Sequence, residues 1–135
     1  MPLPHIADWP ALAARAQAAS KPVVLLIEQA VCPFCRTVED EFFAAILAAG
    51  PLRRQALFGK ISIDEGATIR DQNGRLVGTR DFLSDYQAGL TPTVLFLDHA
   101  KTQVADKIIG LLTPDFYGFY LEQGISAAIA AVNSD

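Results

Sequence analysis

The unbroken apolar run Val23-Val24-Leu25-Leu26-Ile27 is followed closely by Cys32-Pro33-Phe34-Cys35. A strand that is apolar at every position, rather than at alternate ones, must be covered on both faces, which places it in the middle of a sheet. From Pro33 the pattern becomes helical: Phe34, Val38, Phe42 and Ile46 recur every fourth residue, with Phe43 and Leu47 beside them and Gly50-Pro51 as the stop. A buried strand running into a helix and on to a second strand, 57–64, implies a right-handed parallel crossover. With 135 residues, 51% hydrophobic content and 19% charged residues, the chain can bury a full core, and it is expected to form one domain over 1–135. Its formal charge of −4 and its lack of any Lys/Arg cluster argue against a nucleic-acid surface. No apolar run approaches the roughly 18 residues of a membrane-spanning helix.

Other elements follow from their punctuation. Asp8 caps a helix over 9–19, with Pro10 in its first turn and Ser20-Lys21-Pro22 at its end; with the lead-in it makes up 1–20. Residues 64–90 form an excursion, in which Asn73-Gly74 marks a hairpin between Thr68-Ile69 and Leu76-Val77, and 79–88 is a short helix closed by Gly89. Strands 93–97 and 104–109, joined by a turn over 99–102, must be antiparallel. Thr113-Pro114-Asp115 caps a terminal helix with a break expected at Gly124. The class is therefore α/β: a mixed central sheet of about four to five strands, flanked by helices on both faces.

Only two cysteines are present, three positions apart. A bridge closing so short a loop restrains the unfolded chain little, so it does not serve stability. A four-ligand zinc site needs more partners, and the two histidines, His5 and His99, lie far away in sequence. Cys32 sits at the strand-to-helix junction, Pro33 takes the first helical position, and Cys35 lies one turn inward on nearly the same face, so the two sulfurs can meet. Unpaired N–H groups and the peptide dipoles at the helix start favour a thiolate at Cys32. The pair then works as nucleophile, Cys32, and resolver, Cys35, through a mixed disulfide.

The stretch from Val23 to Cys35 resembles the active-site strand, loop and helix of the thioredoxin fold, and Thr91-Pro92-Thr93 resembles the same family's cis-proline segment. The likeness runs in element order over nearly all of 20–132. It implies that Pro92 is cis and lies against the cysteines, and that Thr91 offers its backbone to an extended partner segment. The family's usual Trp-Cys-Gly-Pro-Cys reads Val31-Cys32-Pro33-Phe34-Cys35 here, and Leu26 stands where the family has a buried acid. Cys-Pro-aromatic-Cys with Thr before the proline is more similar to bacterial periplasmic thioredoxin-like and Dsb-type proteins. The Glu28-Gln29 lead-in and the 64–90 excursion most resemble thioredoxin-like proteins of sulfur-oxidation gene clusters.

Several side chains allow two readings. Glu28 is either a proton relay or ionisation tuner for Cys35, or a solvated strand end; Arg36 either supports the Cys32 thiolate or is simply exposed. Phe34 is either a docking ring beside the sulfur or a core residue. Glu39-Asp40-Glu41 read as a solvated face, Tyr86 as a brace for the proline segment, and Asp98 and His99 as turn residues. Trp9, Phe42, Phe43, Phe96, Phe116, Phe119 and Tyr120 read as core.

These features predict a monomeric thiol:disulfide oxidoreductase needing no metal or organic cofactor. Its partners would be protein disulfides or thiols and, on the sulfur-oxidation resemblance, sulfur-carrier proteins and a membrane thiol transporter. The rivals are a glutathione-dependent glutaredoxin-like enzyme, whose Gly-Gly element after the proline is missing here, and a non-catalytic protein holding a soft ion such as copper between two thiolates. The opening Met1-Pro2-Leu3-Pro4-His5 carries no export signal; the resemblance places the mature chain in the periplasm with its leader removed, the alternative being the cytoplasm.

Overall fold

A computed structural model describes residues 3–134; Met1 and Pro2 of the expected lead-in, and Asp135, lie outside the described residues. Helix α1, Trp9–Ala19, begins where the Asp8 carboxylate accepts the Ala11 N–H at 3.1 Å and ends at Ser20, which turns left-handed at φ 54°. Strand β1, Val23–Glu28, is buried at all six positions. It pairs in parallel with β2, Leu57–Ser62, and antiparallel with β5, Thr93–Leu97. Strand β6, Gln103–Ile109, adds antiparallel to β5, giving a four-stranded mixed sheet in the order β2-β1-β5-β6.

Strand alternation then divides the core in two. Val23, Leu25 and Ile27 pack with Leu95 and Leu97 against Trp9, Leu12 and Ala16 of α1. Val24 and Leu26 pack with Val94 and Phe96 against Val38, Phe43 and Ile46 on one helix and Leu121, Ile125 and Ala128 on another. Each such fully buried large side chain is worth about 1.5–3 kcal/mol relative to exposure. The outer edge of β2 is covered by the lead-in: Ile6 N–H bonds to Lys60 O and Lys60 N–H to Pro4 O, each at 2.9 Å. A Cβ on Gly59 would fall 2.5 Å from the Ile6 side chain and force it to shift, so the glycine makes room for it over the strand.

The helix after the cysteines is not uniform. It runs as α2, Pro33–Thr37, then a π-helical stretch, Val38–Phe43, then α3, Ala44–Ala48. The buried stripe is Cys35, Val38, Glu39, Phe43 and Ile46: Val38 and Ile46 of the expected series are buried, Phe34 is exposed, and the wider turn inserts one residue that brings Phe43 inward in place of Phe42. Beyond Gly50-Pro51 a short unexpected helix, α4, spans Leu52–Gln55.

The excursion contains the hairpin β3, Thr68–Arg70, and β4, Leu76–Gly78. Its turn is wider than Asn73-Gly74 alone: the Asp71 carboxylate accepts the N–H groups of Asn73 and Arg75, and Gly74 takes φ 78°. The helix expected over 79–88 is broken into α5, Thr79–Phe82, and a 3₁₀ turn, Ser84–Tyr86; Gln87, not Gly89, is the left-handed residue that ends it. Tyr86 braces the β5–β6 turn rather than the proline segment, donating its hydroxyl to Lys101 O at 2.6 Å.

Helix α6, Pro114–Asn133, is continuous through Gly124, against the expected break. There the Phe96 ring lies so close that a Cβ would sit 2.5 Å from it, so the glycine makes room for a neighbour and does not end the helix. Thr113 makes no side-chain cap bond. Of the expected core aromatics, Phe116, Phe119 and Tyr120 are exposed, and the neighbouring Tyr117 is buried in their place. Among the described residues no helix is long and apolar enough to cross a membrane.

Candidate active site

β1 leaves the sheet at Glu28, and the three residues that follow, Gln29, Ala30 and Val31, carry the chain to Cys32, the N-cap of α2. Extended backbone at Cys32, φ −152°, aims its side chain at the start of the helix, where the sulfur accepts the Cys35 N–H at 3.2 Å. The two cysteines are joined as a disulfide with Cα atoms 5.2 Å apart. Pro33, at the first helical position, lacks an N–H that would have had no partner there. Cys35 is fully buried, whereas Cys32 is partly exposed. Once the bond is reduced, a donated N–H and the positive end of the peptide dipoles stabilise negative charge on the outer sulfur. Cys35, bonded to Cys32, has no exposed surface of its own.

The segment before β5 lies beside the loop that leads to Cys32, because β5 pairs with β1. The Thr91–Pro92 peptide bond is cis. Pro92 O accepts the Gly110 N–H at 2.7 Å, Thr93 donates its hydroxyl to Leu90 O, and Thr91 donates its hydroxyl to Gln29 Oε1 at 2.7 Å. Val31 and Phe34, next to Cys32 in the chain and between the cysteines, are 95% and 61% exposed, and Leu90, just before Thr91, is 61% exposed. The ring of Phe34 is therefore outside the core.

Glu28 is not a solvated strand end. It is 3% exposed and ion-paired to Arg36, the residue after Cys35. That bond to Glu28 raises the Arg36 guanidinium above its ordinary value, against the smaller opposing effect of its burial. Arg36 also reaches Glu39 at 3.7 Å, and Glu39 in turn binds Lys60 Nζ at 2.9 Å and the Leu3 N–H at 2.9 Å. A line of alternating charge thus runs from the end of β1 beneath the cysteine helix to β2. Burial by itself pushes the Glu39 carboxyl up, and Lys60, the Leu3 N–H and Arg36 together outweigh it, leaving it below the usual carboxylate value. Glu39 therefore corrects the expected solvated face, while Asp40 and Glu41 are exposed as expected. Its signal lay in its position four residues after Cys35, on the buried side of the helix, and in a lysine standing inside a buried strand.

Asp64 is a further residue that sequence reasoning passed over. Its carboxylate accepts the Ala30 N–H at 2.9 Å and the Ser62 hydroxyl at 2.8 Å, and these bonds hold it below the usual carboxylate value. This fixes the loop ahead of Cys32 to the end of β2. Among the described residues no group of three or more His, Cys, Asp or Glu side chains is placed to hold a metal ion.

A partly exposed cysteine bonded to a fully buried one, at the start of a helix fed by the central strand, defines a thiol:disulfide oxidoreductase of thioredoxin fold. The chain belongs to the thioredoxin-like domain family, whose model matches residues 10–125. Among solved structures it is similar to thioredoxin from Malassezia sympodialis, at 17% identity and a TM-score of 0.64 over 96% of each chain. It is also similar to Fasciola hepatica thioredoxin, at 16% identity and 0.62 over 92% of this chain and 97% of that one. Oxidised mitochondrial thioredoxin 3 from Saccharomyces cerevisiae matches at 17% identity and 0.58, over 92% of this chain and 93% of that one. At such identities these likenesses establish the fold. No curated protein sequence matches.

Proposed function

We propose that this oxidoreductase is a periplasmic thioredoxin of the sulfur-oxidation type, exchanging disulfides with cysteine-bearing proteins, sulfur-carrier proteins among them, and drawing electrons from a membrane thiol transporter. The supporting features are Cys-Pro-Phe-Cys with Thr91 before Pro92, Leu26 in place of a buried acid, the Glu28-Gln29 lead-in and the 64–90 excursion. The observation that carries the catalytic order is the difference in exposure between the two cysteines, Cys32 partly exposed and Cys35 fully buried.

In the reducing direction the Cys32 thiolate attacks one sulfur of the partner's disulfide and expels the other as a thiolate, which takes up a proton. Cys35 then loses its proton and attacks Cys32, forming the intramolecular disulfide and releasing the second partner thiol. An external dithiol returns the two electrons. Thr91 and Pro92 position the partner's strand, and Val31, Phe34 and Leu90 offer it an apolar rim. Glu28 and Arg36 tune the cysteines from below, and the pH profile of Cys32 alkylation in E28Q and R36Q should shift relative to the parent.

Dithiothreitol-driven insulin reduction tests the activity. Catalysis without glutathione supports the reading; an absolute need for glutathione assigns the chain to a glutaredoxin-like role, and one bound copper per chain with no exchange makes it a metal carrier. Osmotic-shock fractionation of the host tests the compartment, with recovery in the shock fluid expected.

A further inference from the structure

The loop ahead of Cys32 and the cis-proline segment are joined, among the described residues, by one side-chain hydrogen bond, that from the Thr91 hydroxyl to Gln29 Oε1 at 2.7 Å across 62 positions of sequence. We propose that Gln29 is a positioning residue for partner binding: it orients Thr91, and so sets where the backbone that receives the partner's strand stands relative to Cys32. This rests on the oxidoreductase reading and adds a residue to it.

The argument comes from how firmly each end is held. Gln29 lies between two anchored neighbours. Glu28 is buried in its ion pair with Arg36, and the Ala30 N–H is bound to Asp64. At the other end, Leu90 O and Pro92 O, on either side of Thr91, are bound by the Thr93 hydroxyl and the Gly110 N–H. The cross-link therefore ties one rigid platform to another. It also uses the hydroxyl hydrogen of Thr91 inside the protein, leaving the main chain of that residue to the partner. A partner strand laid along residue 91 is then held at a fixed offset from the outer sulfur. Loosening the offset weakens the binding of any substrate that relies on strand contacts, because misplaced reacting atoms lower the fraction of productive encounters.

A double-mutant cycle tests this, using Q29L, T91V and the pair, with Q29E as the conservative variant, since its carboxylate still accepts the hydroxyl. Turnover is measured with insulin and with the small aromatic disulfide 5,5′-dithiobis(2-nitrobenzoate), which has no strand. Each single change should raise KM for insulin by about 2- to 10-fold, the range of one neutral hydrogen bond. The loss should be smaller with the small disulfide, the double variant no worse than the poorer single one, and Q29E close to the parent in insulin KM. Additive losses, or equal losses on both substrates, overturn the proposal. If the parent reduces neither substrate, the oxidoreductase reading itself fails, a different result from either.

Discussion

Glu39 and Lys60 form an ion pair beneath the active-site helix, Oε2 to Nζ 2.9 Å, with both side chains nearly closed off from water. A buried pair is weak evidence of net stabilisation, but removing one partner leaves the other charge without compensation. E39Q should lower the unfolding free energy at neutral pH by about 3 kcal/mol, read from urea melts.

The same pair sets a pH dependence. Because the folded Glu39 carboxyl lies below its ordinary value of 4.5, the unfolded chain takes up the proton first on acidification. The contribution is complete above that ordinary value and is lost as pH falls through the lower folded one. Urea melts at stepped pH should show the gap between parent and E39Q narrowing below about 4.5; a gap independent of pH contradicts this origin.

Two glycines in α6 make opposite predictions. At Gly118 a Cβ meets the Phe42 ring at 3.5 Å, ordinary contact, so G118A should stabilise the helix by about 0.5–1 kcal/mol. At Gly124 the Cβ would fall 2.5 Å from the buried Phe96 ring, and G124A should cost about 1–3 kcal/mol despite alanine's better helix propensity. Thermal melts of the two variants should move in opposite directions.

Phe34 presents a ring with 61% exposure next to the outer sulfur. F34A should change stability by no more than about 0.5 kcal/mol and raise KM for insulin several-fold. A melting shift of many degrees would instead show the ring packed in the core.

Sequence pattern carried the strand-helix-strand order, the mixed sheet and the cysteine pair, because each depends on local signals: an unbroken apolar run, a proline at a helix start, a two-residue spacer. What escaped it depends on neighbours distant in sequence. Cys35 faces the core, so Glu39 one turn on faces inward with it and Phe34 faces outward, and the π-helical stretch then carries Phe43 inward in place of Phe42. Gly124 looked like a helix end because the ring that needs its missing side chain is Phe96, on another element. Gln29 was noticed only as part of a family-like lead-in; its bond to Thr91 exists because β1 and β5 lie side by side.

The central claim, that Cys32 attacks and the enclosed Cys35 resolves, is tested most directly by trapping. Reduced C35S is mixed with a disulfide-containing protein, quenched with acid and mapped by mass spectrometry, with C32S alongside. The account predicts a stable mixed disulfide through Cys32, released by dithiothreitol, with turnover reduced on the order of 100-fold or more, and no adduct in C32S. Adducts forming as readily through Cys35 in C32S, or no adduct in either variant, would contradict it.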